Sequence, residues 1–139
     1  DANLAPLPPA EQSRVHPRVW VATPAPTVAR TERDLATGGL DLAHEEGDGT
    51  TRLDHGWTFG DVVRRRYHID PDDPTSARVD WQGTQTYSRP GAFDIRIEAT
   101  QSVSCTATDF IVHATLEAHR DGHPVFSRRW LEHIPRDGV

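Results

Sequence analysis

FDIRIEATQSVSC at residues 93–105 and FIVHATLEA at residues 110–118 decide the fold. In the first run Phe93, Ile95, Ile97, Ala99, Val103 and Cys105 fall on one face of an extended chain. Asp94, Arg96, Glu98, Thr100, Ser102 and Ser104 fall on the other. The second run repeats the alternation, Phe110, Val112, Ala114, Leu116 and Ala118 against Ile111, His113, Thr115, Glu117 and His119. Period two is a strand signal. Turn residues frame both runs, Ser88-Arg89-Pro90-Gly91 before the first and Arg120-Asp121-Gly122 after the second, and Asp-Gly is the pair a tight hairpin favours. With strands expected at Arg78–Tyr87 and Val125–Trp130, the spacing predicts a C-terminal four-strand antiparallel meander. The same patterning predicts that Phe93, Ile95, Ile97, Val112, Ala114 and Leu116 are buried and that Asp94, Arg96, Glu98 and Glu117 meet water.

Upstream, DVVRRRYHID at 61–70 alternates in the same way, with Val63, Arg65, Tyr67 and Ile69 on one face and Arg64, Arg66 and His68 on the other. DPDDP at 70–74 ends it. HEEGDGTTRLDHGW at 44–57 reads as a loop, being rich in Gly, Asp and Thr. Residues 27–42 read as two strands around a turn at Gly38 and Gly39. Residues 1–26 carry six of the eleven prolines and read as an arm or linker, in which Val15–Ala22 is a candidate edge strand. The domain reading is therefore a Pro-rich arm at 1–26 and one antiparallel β-domain at 27–139. No helical pattern of ten residues occurs, so the class is all-β. A strand with one apolar face must cover it, which predicts an antiparallel β-sandwich or a jelly-roll-like curled sheet, with a barrel as the further alternative.

The 139 residues suit one domain of a size that needs no metal or disulfide staple. The composition is 35% hydrophobic with a mean hydropathy of -0.64, polar but not that of a disordered chain. No apolar run is long enough for a transmembrane helix and no leader pattern is visible, so a soluble chain is expected. A net charge of -6 argues against nucleic acid and against anionic membranes as partners. All fifteen basic residues are Arg, a pattern of high-GC bacterial genomes. The lone Cys105 excludes an internal disulfide and favours a reducing, cytoplasmic compartment. The chain starts at Asp1 and contains no Met, which suggests a piece of something longer.

Signatures of catalysis are missing: no Gly-x-Ser-x-Gly elbow, no phosphate loop, no His-Glu-x-x-His. No catalytic residue and no cofactor are therefore assigned. His113, Glu117 and His119, with His123 across a turn, are weak candidates for a metal site. Same-face neighbours on a strand stand almost 7 Å apart, however, and a solvated sheet face is the favoured reading. Trp57, Trp81 and Trp130, with Phe126, are weak candidates for a ligand- or sugar-stacking platform, against the favoured reading as core aromatics. Arg64, Arg65 and Arg66 offer anion chemistry but read better as ion-paired surface. Asp70, Asp72 and Asp73 lack the EF-hand spacing and read as a turn, and Cys105 reads as a buried, inert thiol.

Four segments together resemble a known family: RDLATG at 33–38, YHIDPDDP at 67–74 followed by Ser76-Ala77, FSRRW at 126–130, and IPRD at 134–137. In this order they look like the C-terminal β-domain of CocE/NonD hydrolases, relatives of cocaine esterase and Xaa-Pro dipeptidyl-peptidase, over about residues 28–139. The resemblance implies a jelly-roll-like domain packed on an α/β-hydrolase domain that carries the Ser, Asp and His. It transfers no catalytic position, because this chain has no matching nucleophile. The role it implies is a non-catalytic accessory domain of a serine hydrolase acting on ester or amide bonds, covering the catalytic domain and shaping substrate access. The partner is then that domain or another subunit, with a homo-oligomer as a further expectation. The alternatives are a free-standing β-sandwich or β-barrel that binds a small ligand or sugar, and a small enzyme built on His113, Glu117 and His119.

Overall fold

Eight antiparallel strands form one sheet in the computed structural model, which describes residues 18–24 and 26–137. They are β1 (Arg18–Ala22), β2 (Val28–Arg33), β3 (Leu40–Leu53), β4 (Thr58–Asp70), β5 (Asp73–Arg89), β6 (Phe93–Cys105), β7 (Asp109–Arg120) and β8 (His123–Pro135). From β3 to β8 each strand pairs with the next, so the meander is longer than the four strands expected. β1 and β2 share the far edge: β2 pairs with Leu40–Glu45 of β3, and β1 with the other half, Thr50–Leu53. The sheet does not close into a barrel. β1 lies inside the stretch read as an arm and is the edge strand expected there; residues 1–17, with Pro6, Pro8, Pro9 and Pro17, lie outside the described residues.

Turn chemistry sets the register. Between β7 and β8 the two-residue turn has Asp121 at φ 52° and Gly122 at φ 77°, the left-handed pair whose twist matches the strands it joins. Its amide and carboxylate clasp the start of β6: Asp121 N–H donates to the Asp94 carbonyl at 2.7 Å, and Asp94 N–H donates to Asp121 Oδ1 at 2.9 Å. At the β4–β5 turn Asp73 accepts from Thr75 N–H at 2.8 Å, and Asp70 N–H donates to Ser76 Oγ at 2.7 Å. The aspartates at 70–73 thus serve a turn.

Register also assigns the faces. Tyr67, Val79, Val103 and Val112 stand in one transverse row, as do Phe59, Tyr87 and Ile95, all on the face that carries Phe93, Ile97, Ala99 and Leu116. The opposite face carries Arg64, Arg66, Asp80, Gln82, Thr100, Ser102, His113 and Thr115.

Four expectations change here. Residues 44–57 are not a loop: β3 runs through most of them to Leu53, because an irregularity between Glu46 and Gly49 absorbs the turn-forming residues while pairing resumes at Gly49↔Asp61. Phe93, Ile95, Ile97, Val112, Ala114 and Leu116 are only half-buried, and no hydrophobic residue among those described is fully buried. The tryptophans are likewise not core: Trp57 and Trp20 are exposed, and Trp81 and Trp130 half-buried. The cause is the number of layers. Alternation puts apolar side chains on one face, but a single sheet supplies nothing to lie over them. Cys105 is also half-buried, its Sγ 3.6 Å from the Pro74 and Thr75 carbonyls, since it ends β6 at the margin of the sheet.

Candidate functional site

Two surfaces carry chemistry. The first is the apolar face. Fourteen large hydrophobic residues of those described are exposed, among them Leu40, Leu42, Tyr67 and Ile69 on this face of β3 and β4. At its middle the Trp81 indole lies across Gly83, where an added Cβ would collide with the ring. Glycine is required there because the approach of the ring leaves no room for a side chain. Beside the indole a cavity of about 250 Å³ opens between Arg65, Tyr67, Val79, Trp81, Gln101 and Val103. A surface of this kind suits another apolar surface rather than water.

The second is a groove of about 740 Å³ on the polar face, lined from six strands, β2 to β7. Arg64 forks onto Glu45 with bonds of 2.9 and 3.0 Å, and the pairing holds the Glu45 carboxyl below its ordinary range and the Arg64 guanidinium above its own. On the opposite face Arg65 donates to Glu46 Oε1 at 2.6 Å, within 3.3 Å of His44, and the Glu46 carboxyl is lowered by that hydrogen bond. The arginine triplet is thus divided between faces and mostly ion-paired, as strand periodicity implies. Of the triplet, only Arg66 has a side chain with no hydrogen bond or ion pair to another described residue, and it lines the groove. The groove can therefore receive a polar or anionic group, while its walls are largely aliphatic stems with Ala43 and Val28.

The residues nominated from sequence scatter over these surfaces. Trp57 sits at the β3–β4 turn, its ring edge-on to Phe93 at 5.4 Å. Trp81 and Trp130 share one row of the apolar face, Trp81–Gln101–Ala114–Trp130, three strand spacings or about 14 Å apart. The three indoles do not converge. His113, Glu117 and His119 project from the polar face of β7 opposite Ser102, Glu98 and Arg96, and only His113 reaches the groove. Among the described residues no group of three His, Cys, Asp or Glu is placed to hold a metal ion. Arg30, Glu45, Asp80 and Gln82 of the groove were not singled out from sequence, because three separate strands, β2, β3 and β5, bring them together. The chain matches no protein-family model, no curated protein and no solved structure.

Proposed function

We propose that this chain is the non-catalytic accessory β-domain of a serine hydrolase acting on ester or amide bonds, of the CocE/NonD kind, and that its apolar face covers the α/β-hydrolase domain and shapes substrate access. The observation that carries this reading is the sheet whose apolar face has no second layer, with no fully buried hydrophobic side chain among the described residues. Burial of such side chains is the main term that offsets chain entropy, so a sheet open on its apolar side gains its stability when another surface covers it. The family resemblance names that surface. A reducing, cytoplasmic setting suits the free thiol of Cys105.

The test pairs a mass with an activity. The native gene product should have an intact mass well above 15.5 kDa and contain a hydrolase domain, while the 139-residue chain alone should turn over no nitrophenyl ester. Acyl transfer needs an activated nucleophile with its base and oxyanion donors in reach. Saturable turnover by the isolated chain, abolished by one Ser→Ala change, would overturn the proposal.

A further inference from the structure

We infer that β8 is a homodimerisation edge, on which a second copy of this chain adds its own β8 antiparallel about a twofold axis through Trp130. This inference is independent of what covers the apolar face. β8 ends the sheet: it pairs with β7 on one side, and no described strand pairs with the other. A free edge presents a row of backbone donors and acceptors. Its regular stretch runs from Phe126 to Ile134, between the irregularity after Ala118↔Phe126 and Pro135, and Trp130 is its midpoint. Pro124 and Pro135 lack amide donors and bound the pairing, so the edge favours one short partner segment over a sliding ladder.

The side chains of this stretch are self-complementary about Trp130. In that register, on the apolar face, Phe126 stands opposite Ile134 of the second copy, Arg128 opposite Glu132, and Trp130 opposite its own counterpart. Each copy gives and receives the same pairs, as a closed twofold interface requires. Phe126, Leu131 and Ile134 are 47%, 56% and 50% exposed. Within the chain, the Glu132 side chain makes no hydrogen bond or ion pair to another described residue, and the Arg128 guanidinium lies over the Trp130 ring at 4.9 Å. The charges that would meet across the axis are therefore both available.

Neighbouring registers fare worse. To keep the apolar faces of both copies on one side, the axis must pass through a residue of the apolar face or its neighbour, never between two residues. An axis at Arg128 opposes arginine to arginine, one at Glu132 opposes glutamate to glutamate, and those at Arg129 or Leu131 place Glu132 against Phe126 or Trp130. Only the axis at Trp130 sets opposite charges face to face, and directly opposed cross-strand pairs are the unit of sheet pairing.

Sedimentation velocity of the whole chain over roughly 1 to 300 μM should show a monomer–dimer equilibrium. Arg128→Glu or Glu132→Arg alone should weaken the dimer about tenfold or more, since each reversal opposes like charges at two symmetric positions. The double swap Arg128→Glu with Glu132→Arg should restore it. In a Cys105→Ser background, Trp130→Cys should oxidise to a covalent dimer and Leu131→Cys should not, because directly opposite residues lie about 4.5–5.5 Å apart, within disulfide reach. A chain monomeric throughout this range, association indifferent to the single reversals, failure of the double swap, or equal cross-linking at both positions would each overturn the inference.

Discussion

Truncating Ile97 to alanine reads how far the apolar face is covered. Ile97 lies mid-strand in β6 between Gln85 and Ala118, half-buried, with no second layer above it among the described residues. The change removes three carbons, which at about 0.8 kcal/mol each would come to about 2.4 kcal/mol for a side chain fully withdrawn from water. Half of that burial leaves about 1 kcal/mol, and an open face encloses no cavity to add to it. Beneath a packed second layer the same truncation would cost about 2 to 5 kcal/mol. Urea unfolding of the dilute chain, followed by tryptophan emission, should therefore show a loss of about 1 kcal/mol with an unchanged slope. A loss above about 3 kcal/mol would mean that Ile97 is enclosed already and would refute the single-layer argument. A loss below about 0.3 kcal/mol would mean that β6 presents Ile97 to solvent and that the register is wrong. In a protein where another domain covers the sheet, the cost should rise into the higher range, so the difference measures the cover.

Gly83→Ala should push the Trp81 indole off the sheet, costing about 1–3 kcal/mol and shifting tryptophan emission to the red; unchanged emission would show that the ring is not seated there. The carboxyls of Glu45, Glu46 and Glu98 are held below their ordinary range chiefly by hydrogen bonds from Arg64, Arg65 and Arg96. Their contribution is therefore whole above the ordinary glutamate value and is lost as pH falls through the lowered native values, so the urea midpoint should decline in acid, modestly because the pairs are solvent-exposed. Glu46→Gln should flatten that decline, and an unaltered acid profile would show that the pairs add nothing.

Alternation alone was enough to read β4, β6, β7 and the apolar face, because the side-chain period of a strand is local and no other regular structure shares it. The β7–β8 turn was equally legible, since Asp121 and Gly122 adopt the left-handed backbone that their residue types favour. Local reasoning misread residues 44–57, where glycines and aspartates that usually make turns sit inside β3 beside an irregular pairing. The weak tryptophan nomination dispersed for a related reason: Trp81 and Trp130 are far apart in the sheet order although both face the same way.

By itself the sequence determined the class, most strand positions, which side chains share a face, and the absence of recognisable catalytic motifs, because each follows from neighbours within a few residues. Three things were decided only by the tertiary structure. One layer rather than two leaves Ile97, Val112 and Leu116 half-buried, since the existence of a covering layer is a property of the whole chain and its partners. The groove around Arg66 joins side chains from six strands. The edge at β8, which no other described strand than β7 pairs with, follows from the strand order. Each depends on pairing between residues distant in sequence, which no local period encodes.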